Sequence, residues 1–533
     1  MGEKKYRFGI MVNRMELYPW QIKVYEELIN TGLAECCIVI LRDTADSPPR
    51  NIYKKISDKN LLFEQYKKRA LNNSLYKPTP FPPIGSIPVL KANVIQSGKA
   101  YESLEEHDIK TIENLNLDFI FRFGFGILKG KVLDVARWGI WSFHHGDEQE
   151  FRGGPPGFWE IYKNASMQGV ILQQLTERLD AGKIILKRNY SIVKHSYTEN
   201  VTKLFQASAD MPAQALRMID SDVLDPVNPT PVKTKAPIYH YPTNFQFGIF
   251  LIKIFLKKWK FRFNKLFRQE NWVIGYSEND NNYRYIAAPK DGEYYADPFT
   301  FKSNNKNYIV AEHYSYEDKK GRIVLINPGS NHIKTVLEKE HHLAYPYIYP
   351  EANEIYMMPE EGNSGELNLY KWNSGTEDFS FITTILNKPA IDASILKHKA
   401  QYFLFASLKG ELPNEKLMIY FSDNLEGPYQ AHPCNPVKIT PAGARMGGVF
   451  INQDGRILRP SQYSVNYYGE KIIFWEIKEL SVTNYMEEYH SEMTVPVNAP
   501  FKDGIHTIHK NDTFVVIDLK KRRSGMQALK AQL

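Results

Sequence analysis

An open parallel α/β sheet followed by an all-β five-bladed propeller is the fold class that this sequence predicts. Three observations carry that expectation. The first 200 residues alternate short apolar runs with stretches of helical periodicity. From residue 272 the style changes to short strand-like runs separated by turn residues, and 21 of the chain's 33 tyrosines lie there. Those runs recur at about 50-residue spacing, the length of a four-stranded propeller blade.

The elements follow in order. Residues 7–12 read as an apolar strand. Residues 20–33 carry Ile22, Tyr25, Leu28 and Ile29 on one helix face. Residues 36–41 are a second apolar run, and 118–121 a third that ends in the glycines of RFGFGILKG (122–130). Residues 139–143 and 170–175 read as strands four and five. Helical stretches between consecutive strands imply a parallel sheet with right-handed crossovers. No GxGxxG follows the first strand, which argues against a dinucleotide site. Residues 197–220 predict a closing helix, and 221–242 are proline-rich and read as a linker. The expected domains are therefore 1–220, a linker with a basic aromatic helix at 221–271, and 272–533. The blade starts are ADPF at Ala296, AYPYIYP at Ala344, DASIL at Asp392, MGGVFI at Met446 and GIHTIH at Gly504.

The linker segment holds seven basic residues from Lys253 to Arg268, interleaved with aromatics and free of acidic residues. One reading is an amphipathic helix on an anionic membrane surface, with weak contact through 253–268. The other is a connecting helix packed between domains.

Composition narrows the function classes. A net charge of +7 over 533 residues is too small to argue for nucleic acid. Three cysteines give neither a disulfide framework nor a metal-ligand spacing, so no metal is expected and a reducing compartment is the simpler reading. The first residues lack a signal-peptide core, and no apolar stretch is long enough to span a bilayer. A cytoplasmic location is the resulting expectation; the oligomeric state is left open.

The densest chemistry lies between Gly139 and Asp180. Ser142-Phe143-His144 ends a strand, a loop reaches Arg152-Gly153-Gly154-Pro155-Pro156, and Leu179-Asp180-Ala181-Gly182 follows. A His and an Asp at the ends of neighbouring strands stand where open α/β sheets bind ligands. A protonated His can hold an oxyanion, and an Asp beside it favours that charge and can take an amine proton. This stretch resembles the folate-dependent formyltransferases, which carry Asn-x-His, an Arg-Gly-x-x-Pro loop and Leu-Asp-x-Gly. The resemblance covers roughly residues 5–200. It implies N-formyl transfer from 10-formyltetrahydrofolate, as co-substrate, to the amine of an amino sugar, nucleotide-linked or in a glycan. It further implies His144, Asp180 and Ser142 as catalytic residues, and Phe125, Gly126, Ile127, Leu128 and Leu179 as the lining of the pterin pocket. Ser142 stands where the family has Asn. The family's Ser-Leu-Leu-Pro is replaced by His145-Gly146-Asp147-Glu148, so Asp147 and Arg152 become candidates for binding substrate.

In the second half, Asp297 and Asp392 resemble the blade-start acids of five-bladed glycosidase-like folds. Arg445 joins them as a sugar-binding candidate, with Glu312, Gln462 and His506 as further residues able to line a central cavity. Two alternatives to formyl transfer follow. One is a glycosidase or glycosyltransferase acting through the propeller. The other is a catalytically weak glycan-binding protein.

Overall fold

The computed structural model describes residues 5–43, 59–71, 76–81, 87–97, 101–177, 182–278, 282–330, 332–410, 412–511 and 514–524. The chain divides into two compact units, Met1–Lys258 and Trp259–Leu533.

The first unit is built on an eight-stranded sheet. Across it the strands run Thr230–Pro231, Lys183–Ser191, Met167–Gln174, Ile140–His144, Phe119–Arg122, Tyr6–Val12, Ala34–Arg42 and Val89–Ala92. The five strands from Ile140–His144 to Val89–Ala92 are parallel. The other three pair antiparallel with their neighbours, so the expected parallel sheet is mixed on that side. The connection after His144 carries the helix Phe158–Lys163 and returns the chain antiparallel beside the strand it left. The apolar runs are buried on both faces, as a covered sheet requires; Phe8, Ile40, Phe119, Ile120 and Trp141 are at most 1% exposed.

The expected closing helix is two helices, Tyr197–Ser208 and Met211–Asp220, with Pro212 in the first turn of the second. Proline has no N–H to continue a helix but suits its first turn. The proline-rich segment is a strap. Its strand Ile238–Tyr239 pairs with Arg152–Gly153, and Thr230–Pro231 adds an edge strand to the main sheet. The 24-residue helix Asn244–Phe267 follows.

The second unit is the five-bladed propeller. Three blades begin with the inner strands Glu293–Ser303, Ala344–Glu351 and Ala390–His398, and a fourth is built on Ala442–Met446 and Arg456–Tyr463. The fifth combines the two ends of the unit. Arg268–Ser277 pairs along ten residues with Val515–Ser524, which in turn pairs with Ile508–Lys510. Closing the ring with one strand from each end ties all five blades together, so no blade is left with an open inner edge.

Each of the first three inner strands carries an irregularity at the same place, between Ala296 and Phe299, Ala344 and Tyr347, and Ile391 and Ser394. The residues there, Asp297, Tyr345 and Asp392, have φ of 49°, 41° and 49°. Left-handed backbone at a bulky residue costs energy and persists only where its surroundings enforce it. Here three successive blades repeat it, and its effect is to send each side chain to a neighbouring blade.

Candidate functional site

In the α/β unit, the strand Ile140–His144 pairs in register with Met167–Gln174, setting Ser142 opposite Gln173 and His144 opposite Ile171. Ser142 and His144 therefore share a face. Ser142 is buried. His144 Nε2 lies 3.2 Å from the Phe151 carbonyl. His145 is enclosed by rings, with Phe205 at 4.1 Å, Phe143 at 5.2 Å and Trp20 at 5.7 Å between centroids, and its Nε2 is 3.2 Å from Ser208 Oγ. Burial, reinforced by His144, pushes its pKa down to about 3, so it is neutral. Leu179 and Asp180 lie outside the described residues.

The other candidates of this unit are bound up in its own structure. Lys187 Nζ meets Asp147 at 3.1 Å and Glu148 at 2.9 Å, so one lysine bridges the acidic pair from within. Arg152 donates to the Ala236 carbonyl at 3.3 Å and so ties the loop to the strap. The backbone N–H groups of Phe125 and Gly126 donate at 2.6 Å each to Asn13 Oδ1 and Glu102 Oε2. Phe125 and Leu128 belong to the buried core beneath this loop, and Ile127–Leu128 pairs with Tyr101 and Glu102.

The propeller centre is organised differently. His506 Nδ1 is 2.8 Å from Asp518 and its Nε2 is 3.1 Å from Asp297, all three buried. Burial alone would lower the imidazole pKa, but the two carboxylates outweigh it and hold it at about 10. Asp297 is held below its ordinary value by His506 against the pull of burial, and it also accepts from Thr507 Oγ1 at 2.7 Å and Tyr345 N at 3.3 Å. Ligand atoms of Asp297, His506 and Asp518 lie within 4.8 Å of one another. A protonated ring with a carboxylate at each nitrogen already supplies the positive charge that a cation would bring there.

Asp392 joins the third blade to the fourth. It takes two hydrogen bonds from Arg445, at Nε and, at 3.1 Å, Nη2, and one from Gln462 at 2.6 Å. Arg445 continues to Asn414 at 2.8 Å, and Glu360 stands 3.8 Å from its Nη2. Burial, then repulsion from Asp392, raises Glu360 to about 8 despite Arg445. Burial, then Asp297 and Glu360, raises Glu312 well above the ordinary carboxyl value; its Oε1 has no hydrogen-bond partner among the described residues. Glu360 is thus protonated at neutral pH, and Glu312 is shifted in the same direction, while Asp297 is shifted the other way. Tyr468 is partly open to solvent, with the Arg445 guanidinium 5.3 Å from its ring centre. Tyr294 and Tyr314 stack at 5.0 Å, and Tyr314 reaches His342 at 5.8 Å.

The structure thus brings Asp297, Asp392, Arg445, Glu312, Gln462 and His506 to one centre. Sequence reasoning missed Glu360, Asp518 and Tyr468. Asp518 carried a usable signal, a lone acid inside the apolar run FVVIDL; Glu360, at the end of EIYMMPE, carried none.

Residues 284–507 match a family described as glucosamine inositolphosphorylceramide transferase 1, N-terminal. The protein of that name from Oryza sativa subsp. japonica is 30% identical over 232 residues, 41% of this chain and 30% of the relative. The matched region therefore spans under a third of that relative's length. Methionyl-tRNA formyltransferase of Prochlorococcus marinus is 25% identical over 125 residues, 23% of this chain and 38% of that protein. A thermostable family-43 glycoside hydrolase structure covers 43% of the chain, and the match spans 89% of the hydrolase, at 11% identity and a TM-score of 0.33.

These matches correct the expectation of formyl transfer from 10-formyltetrahydrofolate. The family model and the longer relative carry the name of a glucosamine inositolphosphorylceramide transferase, and the formyltransferase similarity is shorter and weaker. The internal pairing of Asp147, Glu148, Phe125 and Gly126 agrees with that correction, because polar groups already satisfied are poor ligands for a co-substrate.

Proposed function

We propose that the chain is a carbohydrate-active protein of the glycosyltransferase type, whose propeller centre binds the sugar of a sugar conjugate. The observation that supports this reading is the group Glu360, Arg445 and Asp392 beside Tyr468. A sugar ring needs an apolar face to stack on and charged groups for its hydroxyls. Tyr468 supplies the first, and Arg445 and Glu360 the second. Glycosyl transfer also needs an ionised group to take the acceptor hydroxyl's proton and a donor that stabilises the leaving oxygen, in one site. Glu360, held at about 8, is protonated at pH 7. Asp297 is the ionised partner. The names of the matched relatives point to a glucosamine-type sugar and an inositolphosphoryl lipid as the first pair to try.

The test uses the whole chain with nucleotide-linked hexosamines and an inositolphosphoryl lipid, following sugar transfer by mass. Glu360→Gln keeps the size and a donor group, so sugar binding should persist while transfer falls by about 10²-fold, the usual effect of removing a general acid. Tyr468→Ala should weaken binding by about tenfold, through lost stacking. Failure of every sugar to bind would end the proposal.

One observation favours a second reading, a binding module without turnover. Asp297 and Asp392 are each saturated by hydrogen bonds within the protein. Binding by the wild type without any transfer would select it.

A further inference from the structure

The helix Asn244–Phe267 has two apolar stripes, one buried in the α/β unit and one exposed. Phe247 and Phe250 are buried in the core cluster of the α/β unit, with Ile254 packed against it. Lys253 and Lys257 reinforce that side by donating to the carbonyls of Tyr162 at 2.8 Å and Ile161 at 3.1 Å. The second stripe is Phe245, Ile252, Leu256, Trp259, Phe263 and Leu266. These recur at intervals of seven, four, three, four and three residues, which keeps them on one face of a helix, opposite Phe247, Phe250 and Ile254. All are exposed, at 77, 61, 60, 62, 54 and 54%. Such a run of large apolar side chains in solvent marks a surface that another phase or molecule covers.

We propose that this stripe lies on an anionic lipid surface, with the helix axis parallel to the membrane. Charge selects that occupant. Lys258, Arg262 and Lys265 flank the stripe on one side and Lys260 on the other, and the segment from Asn244 to Arg268 contains no acidic residue. None of these four cations makes an ion pair among the described residues. A second copy of the chain would set like charges against each other on both flanks, whereas an anionic headgroup layer matches them. An apolar face a few ångströms deep with basic flanks is the pattern of an interfacial helix. No described helix is long and apolar enough to cross a bilayer, so the contact is with the surface. This inference goes beyond the sugar-binding proposal and does not depend on it.

The test is co-sedimentation of the full chain with vesicles of phosphatidylcholine alone or with phosphatidylserine, at low and high salt. Binding to the anionic vesicles is expected, weakened at least tenfold by high salt. Ile252→Ser with Leu256→Ser and Phe263→Ser should reduce it at least tenfold; these side chains are solvent-exposed, so the variant is expected to fold, and its melting curve checks this. As a second measurement, vesicles should blue-shift the tryptophan emission of the wild type, and Trp259→Phe should remove most of that shift. No sedimentation with anionic vesicles at low salt overturns the proposal. So does unchanged binding by the triple variant. A concentration-dependent dimer in light scattering that the triple variant abolishes would overturn it too, assigning the stripe to a second copy.

Discussion

His145 in the α/β unit and His506 in the propeller both sit among aromatic rings, Phe205 at 4.1 Å from the first and Trp272 at 4.1 Å from the second. Their charge states are nevertheless opposite. Burial pushes His145 down to about 3, and its nearest polar partners are a serine hydroxyl and another histidine. Burial opposes charge on His506 as well, but Asp518 and Asp297 lift it to about 10. Enclosure by rings therefore does not decide what a histidine can do; the carboxylates within reach do. The same contrast runs through both regions. In the α/β unit Asp147 and Glu148 pair with Lys187, and Arg152 donates to the strap. At the propeller centre, charges from every blade meet, and neighbouring carboxyls move apart: burial and then Asp392 lift Glu360, while His506 holds Asp297 down against burial.

The largest expected effect comes from removing one carboxylate of the propeller triad. Asp518 accepts from the N–H groups of Asp297, His506 and Thr507 at 3.0, 3.1 and 3.0 Å, in addition to pairing with the imidazole. Asp518→Ala leaves the buried imidazolium with one carboxylate in place of two and strands three donors, so the propeller should lose about 3–5 kcal/mol, read from the shift in denaturant midpoint. His145→Phe removes no charge and keeps a ring among rings, so it should cost less than about 1.5 kcal/mol. Equal losses in the two variants would dissolve the comparison.

The pH dependence sharpens it further, because the two histidines predict opposite slopes. The folded pKa of His506 lies above its ordinary value of 6.5, so its contribution is complete below pH 6.5 and lost as pH rises through about 10. The stability gap between wild type and His506→Gln should therefore narrow between pH 7 and 10. The folded pKa of His145 lies below 6.5, so folding is favoured by the neutral ring above 6.5 and penalised as pH falls toward about 3. Relative to His145→Phe, the wild type should lose stability in that acid window. Melting temperatures of the two pairs across pH check both signs.

A smaller effect is expected at His144. Among the described residues its side chain makes one hydrogen-bond contact, to the Phe151 carbonyl, so His144→Ala should cost about 1 kcal/mol. It should leave sugar binding by the propeller unchanged, because the residue belongs to the other unit. A loss of sugar binding as large as that of Tyr468→Ala would contradict the assignment of the site to the propeller.

Much of the architecture was legible because burial writes itself into the pattern of residues. The apolar runs at 7–12, 36–41 and 118–121 became central parallel strands, and the blade period was visible because each inner strand starts with a similar small motif. The antiparallel turn after His144 was not legible, since strand direction depends on whether the connection crosses the sheet and not on the strand's own composition. At the propeller, Asp297 and Asp392 stood out as acids at blade starts. Glu360 did not, because its raised pKa comes from burial and then from repulsion by Asp392, which is distant in sequence, against the opposing pull of Arg445. The α/β motif was legible as a pattern, but the pattern does not reveal that Lys187 pairs with both Asp147 and Glu148.

The smallest expected effect tests whether depth, more than charge itself, separates the regions. Lys131 and Glu106 pair at 3.0 Å on the surface of the α/β unit, with side chains 68 and 54% exposed. Arg459 and Glu487 pair at 2.7 Å in the propeller, at 0 and 5%. By distance alone the two pairs look alike. Water screens the first, and holding two long side chains in one geometry costs entropy, so Lys131→Ala should change stability by less than about 0.5 kcal/mol and less still in high salt. Arg459 is desolvated and also donates to the Gly443 and Ala444 carbonyls at 2.8 and 3.2 Å, so Arg459→Met should cost several-fold more, with little salt dependence. Chemical denaturation of the two variants with urea, at two added salt concentrations, measures both. A loss at Lys131 comparable to that at Arg459 would mean that the number of ion pairs, and not their burial, sets the stability of each unit.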